Sequence, residues 1–98
     1  MRVVFTDASR MDLRSIAVFI AGDSPARARS FVAELAGACT SLADKPLRYP
    51  LIPEYETKGL RRRPYGTYAI IYMVGTDTIA IARALHSAMD LDVALSGY

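Results

Sequence analysis

Five side chains in the second half of the sequence could act on a phosphate group. Arg61, Arg62 and Arg63 form a triplet, while Arg83 and the only histidine, His86, lie close together near the C-terminus. Guanidinium groups neutralise phosphate charge, and histidine is the side chain best suited to proton transfer near neutral pH. These residue types could assist phosphoryl transfer, or they could bind an anionic partner without reacting.

The spacing of Arg83 and His86 argues against a joint catalytic role. Both fall in Thr78–His86, an apolar segment with the composition of a β-strand, and alternate residues of a strand face opposite ways. Arg83 and His86 therefore point to opposite faces unless a β-bulge intervenes. We expect His86 to serve the fold, by capping the C-terminal segment or by pairing with Asp90. No catalytic residue is favoured, and Arg83 with His86 remains the alternative.

Positive charge is concentrated in the middle third of the chain. Residues 45–65 carry six basic and two acidic side chains, whereas the net charge of the whole sequence is only +2. Such a cluster can attract nucleic acid or an acidic protein segment. A solvated loop and strand edge would give the same composition, so the charge alone does not decide between these interpretations.

Size and composition narrow the class of protein. The 98 residues predict a single domain spanning 1–98. The longest apolar run, Tyr68–Val74, is too short to cross a membrane, and the N-terminus lacks the apolar stretch of a secretory signal. Cys39 is the only cysteine, which excludes an internal disulfide and a cysteine-based zinc site. We expect a cytoplasmic protein that holds no metal.

The N-terminal half predicts one strand followed by two helices. Arg2–Thr6 is short and β-branched, as strands are, and Ser9 offers an N-cap to the next helix. Gly22 ends that helix, Ser24-Pro25 begins a second one that runs to about Ala43, and the short link predicts an antiparallel hairpin. Apolar residues with helical spacing mark one face of the first helix, namely Leu13, Ile16, Ala17, Ile20 and Ala21.

The second half predicts an irregular segment followed by three strands. Asp44–Gly59 contains three prolines and is expected to be irregular. Leu60–Arg63, Thr67–Val74 and Thr78–His86 are predicted strands joined by short turns, so neighbours pair antiparallel. Ser87–Leu95 can form one or two helical turns with Ser87 as the cap. The order β-α-α-β-β-β predicts an α+β fold, with a helical hairpin packed on a small, mainly antiparallel sheet.

The two long strands are apolar on both faces, and a hairpin of two helices covers only one face. In Thr78–His86, alternation separates a small face of alanines from a face that carries Ile79, Ile81 and Arg83. Because the alanine face suits close approach of helices, we expect the other face to be open. Either a partner protein or the proline-rich segment would cover it.

Four stretches, taken in order, carry a family resemblance. They are the opening FTDASRMDLRSIAVFIA, the proline-rich middle, GLRRRPYGTYAIIYMV and the terminal IARALHSAMDL. The most specific part is the last two strands, where Tyr-x-Ile-x-Tyr is followed by a strand running into Leu85, His86 and Asp90. The chain resembles the ParE/RelE toxin superfamily of type II toxin–antitoxin systems, in particular its ParE-like branch, over nearly its whole length. That resemblance implies the β-α-α-β-β-β toxin fold.

The resemblance implies one of two toxic activities. RelE-like members are ribosome-dependent endoribonucleases whose sites usually carry several lysines or arginines and a C-terminal Tyr, His or Glu. ParE-like members lack that set and poison DNA gyrase by binding. The only lysines here are Lys45 and Lys58, and LHSAMD is closer to ParE relatives, although Met89 replaces a basic residue common among them. We expect a non-catalytic gyrase poison; a RelE-like ribonuclease or an inactive toxin-fold binding protein is the alternative.

The resemblance also implies a cognate antitoxin, with a DNA-binding N-terminal domain and a C-terminal segment that folds around the toxin. The toxin would then associate with DNA indirectly, through the antitoxin. Alternation sends Arg61 and Arg63 to one side of their strand and Arg62 to the other. No cofactor is implied. The candidate residues for contact with antitoxin or target are Arg61, Arg62, Arg63, Arg83, Ile79 and Ile81.

Overall fold

The computed structural model describes residues 1–98 and consists of a helical hairpin packed on one sheet. The predicted α+β fold is confirmed. No helix is both long enough and apolar enough to cross a membrane. Short 3-10 turns occupy Ser41–Ala43 and Glu56–Lys58. The helices and strands are β1 (Arg2–Phe5), α1 (Asp7–Ala21), α2 (Pro25–Thr40), β2 (Leu60–Tyr65), β3 (Tyr68–Val74), β4 (Thr78–His86) and α3 (Leu91–Ala94).

The four strands form one mixed sheet in the order β1-β4-β3-β2. The pairs β2–β3 and β3–β4 are antiparallel, as their short connecting turns predict. β1 pairs with β4 in parallel. The hairpin supplies the long connection that brings the chain from β1 to the opposite edge of the sheet at β2. β3 and β4 are therefore the central strands, and the helices pack across them.

The first helix begins at Thr6, not at the predicted Ser9. The Thr6 backbone is extended, and its Oγ1 accepts a hydrogen bond from the Ser9 N–H at 3.1 Å. Ser9 is fully buried in the first turn, where its hydroxyl donates to the Thr6 carbonyl at 2.8 Å. The Thr6 hydroxyl also lies 3.0 Å from the carbonyl of Ile81, at the end of the β1–β4 pairing. The residue that ends β1 therefore caps α1 as well.

The predicted antiparallel hairpin is confirmed, with its caps. α1 ends at Gly22, and Ser24 caps α2 by accepting a hydrogen bond from the Arg27 N–H at 3.1 Å. Pro25 occupies the first helical position, where its missing N–H leaves no hydrogen bond unmade. The link is so short that the two helices must lie side by side over the sheet.

A β-bulge in β4 divides the residues of the strand between its two faces differently from the prediction. Ile71 pairs with Arg83 and Tyr72 pairs with Ile81, so Ala82 has no partner in β3. Residues before and after Ala82 consequently follow different alternations. Ile79 and Ile81 lie beneath the helices and are 0% exposed, in one core with Ile70. The expectation that both isoleucines lie on an open face is therefore wrong. Of the alanines expected to meet the helices, Ala84 is buried on that side, whereas Ala82 is buried on the other face.

The second face of the sheet is covered from within the chain. Ile52 from the proline-rich segment and Leu95 from the C-terminal segment pack there against Leu60 and Ile71. The proline-rich segment also pairs with the free edge of β2, where the Ile52 N–H donates to the Leu60 carbonyl at 2.8 Å. The sequence left open whether a partner protein or the proline-rich segment covers this face. The proline-rich segment covers it, together with the C-terminal segment.

The C-terminal helix is shorter than predicted and has a different cap. α3 begins after Asp90, whose carboxylate accepts a hydrogen bond from the Asp92 N–H at 2.9 Å, so Ser87 is not the cap. The Tyr55 hydroxyl donates to the Asp92 carboxylate at 2.8 Å, and this bond raises the pKa of Tyr55. The contact ties α3 to the proline-rich segment on the second face of the sheet.

Candidate functional site

Arg83 is held by an ion pair inside the fold. Its Nε and Nη2 donate to the two carboxylate oxygens of Asp12 at 2.7 and 2.8 Å, and its Nη1 donates to the Ala94 carbonyl at 3.0 Å. The side chains of Arg83 and Asp12 are only 24% and 13% exposed, and the pairing raises the pKa of Arg83. Arg83 therefore joins α1, β4 and the C-terminal segment, with little of its charge left for a partner.

Asp12 completes the unpaired edge of β4. β1 ends opposite Ile81, so the strand continues beyond its neighbour. The N–H of Ala84 in that extension donates to the Asp12 carboxylate at 3.0 Å. One carboxylate thus satisfies a backbone donor and a guanidinium together. Sequence reasoning missed this role of Asp12, because 71 residues separate it from Arg83.

His86 makes contacts that serve the C-terminal turn. Its Nδ1 accepts a hydrogen bond from the Ala88 N–H at 3.1 Å, and its ring packs edge-on against Tyr68 at 5.5 Å. The predicted pairing with Asp90 does not form, since that carboxylate caps α3 instead. The bulge precedes both Arg83 and His86, so they face opposite ways as predicted. They do not bond to one another and form no acid–base pair.

Arg61 and Arg63 point toward the hairpin side of the sheet and are hydrogen-bonded to it. Arg61 Nη1 donates to the Tyr49 carbonyl at 2.7 Å. Arg63 Nη1 donates to the Ala38 carbonyl at 2.7 Å and the Ser41 hydroxyl at 2.9 Å. A cation beside the carbonyls that end a helix is favourable, because those carbonyls carry partial negative charge. These two arginines stabilise the end of α2 and the loop that follows it.

Arg62 lies on the other face, in register with Ile71, as strand alternation predicts. It is half-buried, and its guanidinium makes no hydrogen bond or ion pair within the protein. Of the four candidate arginines, Arg62 alone therefore has no protein hydrogen-bond partner. Ile79 and Ile81, the other two candidates, are inaccessible in the core.

The remaining reactive groups form no catalytic or metal cluster. Burial raises the pKa of the Cys39 thiol to about 12, so it is not a nucleophile near neutral pH. No group of three or more His, Cys, Asp or Glu side chains is placed to hold a metal ion. Tyr98, at the chain end, is 39% exposed.

An apolar groove on the outer side of the hairpin is the largest open feature of the molecule. This hairpin groove has a volume of about 610 Å³. Val18 in its wall is 75% exposed. A contiguous apolar surface of this kind typically marks a protein interface. Small side chains keep the groove open, and its wall includes Ala17, Val18, Ala21, Ala28, Val32 and Ala33.

Cations border the hairpin groove. Arg29 is part of its wall, and Arg14 lies one helical turn before Val18 on α1. Neither forms an ion pair; the ion pairs of the chain are Arg27–Glu34 and Arg83–Asp12. An apolar groove with free positive charge at its rim suits an amphipathic segment that carries acidic residues.

A comparison with protein-family models decides the family. The model described as the ParE toxin of type II toxin–antitoxin systems matches residues 3–91. The chain belongs to the ParE toxin family. The predicted family is thereby confirmed, and the protein is a toxin of a type II toxin–antitoxin system. No curated protein matched the sequence.

Solved structures show the same fold around this ParE-family toxin. A chain in the chromosomal ParDE toxin–antitoxin system from P. aeruginosa superimposes with a TM-score of 0.74 at 19% identity, covering 88% of this toxin and 95% of that chain. A chain of the RelBE2 toxin–antitoxin complex from Mycobacterium tuberculosis gives a TM-score of 0.66 at 26% identity, covering 87% and 95%. The fold is therefore shared by toxins of both the ParDE and RelBE types.

The hairpin groove of this ParE-family toxin was missed in the sequence, although a signal for it existed. The helical pattern accounts for one apolar face of α1, but Met11, Val18 and Phe19 lie outside that pattern and are exposed. The extra apolar residues on a helix with one face already assigned to the core indicate a second apolar surface.

Proposed function

We propose that this toxin poisons DNA gyrase by binding it and that a cognate antitoxin neutralises it. One observation carries the first part: the pair that a ribonuclease would use, Arg83 and His86, is bonded within the fold. A ribonuclease site needs free cations for the phosphorane charge and an acid or base in reach of them. Arg83 is paired with Asp12, and His86 accepts a backbone hydrogen bond, so neither is free for that chemistry.

The antitoxin would occupy the hairpin groove. Its C-terminal segment would be amphipathic and acidic, with apolar side chains against Val18 and Val32 of the groove wall and carboxylates near Arg14 and Arg29. The apolar lining and the unpaired rim cations support this choice of occupant, as does the fact that both structural neighbours come from toxin–antitoxin systems. Antitoxin bound in this way in the cytoplasm would link the toxin to DNA only indirectly.

Arg62 is the arginine of the triplet that we assign to contact with the antitoxin or the target. Its guanidinium is unpartnered, and it lies on the face of the sheet opposite the hairpin. A partner that wraps around the toxin would reach both surfaces. Arg61 and Arg63 would contribute to binding indirectly, by fixing the loop and the end of α2.

Two parallel assays of the purified toxin, free of antitoxin, test the proposal. In one, the toxin is mixed with gyrase, ATP and plasmid DNA, and supercoiling and trapped cleaved DNA are measured. In the other, it is added to translating ribosomes, and the ends of the mRNA are mapped. We expect gyrase trapping with intact mRNA, and the same trapping by the variant His86→Ala.

Each other outcome supports a different function. Cleaved mRNA with normal gyrase, lost in His86→Ala, would establish a RelE-like ribonuclease that uses Arg83 and His86. Inactivity in both assays, with retained antitoxin binding, would indicate a toxin-fold binding protein. The likeness to the RelBE2 structure is the observation that keeps the ribonuclease in the test.

A further inference from the structure

We propose that a pocket at the C-terminal end of α2 binds a phosphate group. This Arg63 pocket has a volume of about 260 Å³ and shares no lining residue with the hairpin groove. The inference goes beyond the proposed gyrase and antitoxin interactions and does not depend on them. The polar residues that line the pocket are Ser41, Asp44, Lys45, Arg48, Tyr49 and Arg63.

The charges of the Arg63 pocket are not balanced within the protein. It holds three cations, Lys45, Arg48 and Arg63, and one carboxylate, Asp44. None of the four takes part in an ion pair. The guanidinium carbons of Arg48 and Arg63 lie 5.5 and 5.3 Å from the centre of the same Tyr49 ring. Both guanidiniums therefore lie near one ring at the pocket, and an anion bound in the pocket would be attracted to both.

A comparison of Arg63 with Arg83 indicates what the pocket lacks. In both, Nη1 donates to a carbonyl at a helix end, Ala38 for Arg63 and Ala94 for Arg83. The Nε and Nη2 of Arg83 then grip the Asp12 carboxylate. The Nε of Arg63 is buried without a partner, the only such side-chain atom in the chain. The Nε and Nη2 of Arg63 are therefore the same pair of donors that binds a carboxylate in Arg83, but here they have no oxyanion partner.

The groups beside Arg63 can adjust to admit an anion. Lys45 and Arg48 are exposed, and no hydrogen bond to the protein fixes their side chains. Because the Nε of Arg63 is shielded in this conformation, binding requires some rotation of side chains in the pocket. Arg63 itself is fixed by Ala38 and Ser41, so it supplies a rigid donor while the lysine and the second arginine close on the ligand.

The donor set fits a phosphate group better than a carboxylate. Two guanidiniums and one ammonium line the cavity, and together they offer more N–H donors than the two oxygens of a carboxylate can accept. A tetrahedral oxyanion offers more acceptor oxygens and more charge. The phosphate can come from a free phosphate or nucleotide, or from the backbone of a nucleic acid, and the two sources are separable by experiment.

The test is a titration of the full-length toxin followed by the Nε–H signals of its arginines in ¹H–¹⁵N NMR spectra. Inorganic phosphate, a short DNA duplex and polyglutamate are added separately at low salt. We expect phosphate to shift the Arg63 signal saturably while the Arg83 signal, already bonded to Asp12, stays in place. The same shift with the duplex would identify nucleic acid as a source, and its absence would identify free phosphate.

Matched variants keep the test informative even though Arg63 itself supports the fold. The double variant Lys45→Ala/Arg48→Ala removes two exposed cations from the pocket, and Arg2→Ala/Lys58→Ala removes two exposed cations elsewhere. We expect phosphate affinity to fall about tenfold or more in the first, since each lost charge-assisted hydrogen bond weakens binding, and to change by less than about twofold in the second. Equal effects in both variants, no saturable shift, or a shift with polyglutamate alone would overturn the proposal.

Discussion

The two sides of the helical hairpin carry similar residue types but differ in their contacts. On the inner side, Asp12 and Ile16 of α1 face the sheet. Asp12 is bonded to Arg83, and Ile16 is buried in the core. On the outer side, Val18 is as apolar as a core residue but is about three-quarters exposed. The fold therefore requires the inner side, whereas the outer side is available to a partner.

This difference separates stability from binding. Covering a side chain such as Val18 stabilises a complex by about 1.5–3 kcal/mol when burial is complete. Because Val18 does not support the isolated chain, substitution there changes binding without unfolding the toxin. Substitution on the inner side lowers the stability of the toxin instead. Each of the following predictions tests one side of the hairpin or the contrast between the two.

The largest expected effect comes from breaking the inner ion pair. Asp12→Ala leaves Arg83 without its carboxylate and Ala84 without its acceptor, so we expect the free energy of unfolding in urea to fall by about 3 kcal/mol. Asp23→Ala, at the exposed end of the hairpin, is the control and should cost less than about 0.5 kcal/mol. The double variant Asp12→Ala/Arg83→Met should recover part of the loss. Equal stability of Asp12→Ala and the control would contradict the account.

A charge in the hairpin groove should weaken antitoxin binding without affecting the fold. We expect Val18→Asp to lower the affinity for the antitoxin by about 30-fold, or about 2 kcal/mol, because it places a carboxylate in an apolar contact. Val93→Asp on α3 is a matched control, since Val93 is 71% exposed and lies outside the groove. Calorimetric titration with the antitoxin measures the affinity of both variants. A similar loss of affinity in both variants, or no loss in Val18→Asp, would contradict the assignment of the groove.

Alkaline pH should weaken the inner side through Cys39. The folded pKa of this thiol is raised from 9.0 to about 12, so above pH 9 the unfolded chain loses a proton that the folded chain keeps. Stability is therefore fully present below pH 9 and falls as pH rises toward 12. We expect this thiol to account for a loss of about 1 kcal/mol between pH 8 and pH 10. The variant Cys39→Ala should show a shallower alkaline decline in urea unfolding, and an identical slope would refute the assignment.

The smallest expected effect concerns Arg62, away from the hairpin. A charge reversal, Arg62→Glu, should weaken antitoxin binding about threefold, mainly through slower association that depends on salt. Arg63→Glu is a poor substitute, because it also frees the end of α2. Association rates measured at two salt concentrations would show the effect. Unchanged rates would remove Arg62 from the interface.

Local patterns in the sequence predicted much of the fold. Ser24-Pro25 and the helical spacing of apolar residues in α1 act within one or two turns, and both give the elements found. The cap at Thr6 was missed because its competitor Ser9 has equally good cap chemistry, and the end of β1 decides between them. Ser9 is instead buried inside the first turn.

Features set by distant contacts were not predictable in the same way. The bulge at Ala82 interrupts an even alternation of alanines, and nothing in the local sequence marks it. Because of it, Ile79 and Ile81 lie in the core beneath the helices with Ala84, whereas Leu85 lies in the core on the other face. Likewise, pairing of Asp12 with Arg83 depends on how α1 crosses the edge of β4. The candidate site therefore moved from the sheet to the outer side of the hairpin.

Hydroxyl-radical footprinting tests the central claim most directly. The reactivity of the toxin's side chains is measured first in the toxin alone and then in its complex with the antitoxin. The exposed side chains Met11, Val18 and Phe19 report on the hairpin, and Val93 reports on the opposite side of the sheet. The account predicts that the antitoxin protects Val18 strongly. Unchanged reactivity of Val18 in a stable complex, with protection elsewhere, would contradict it.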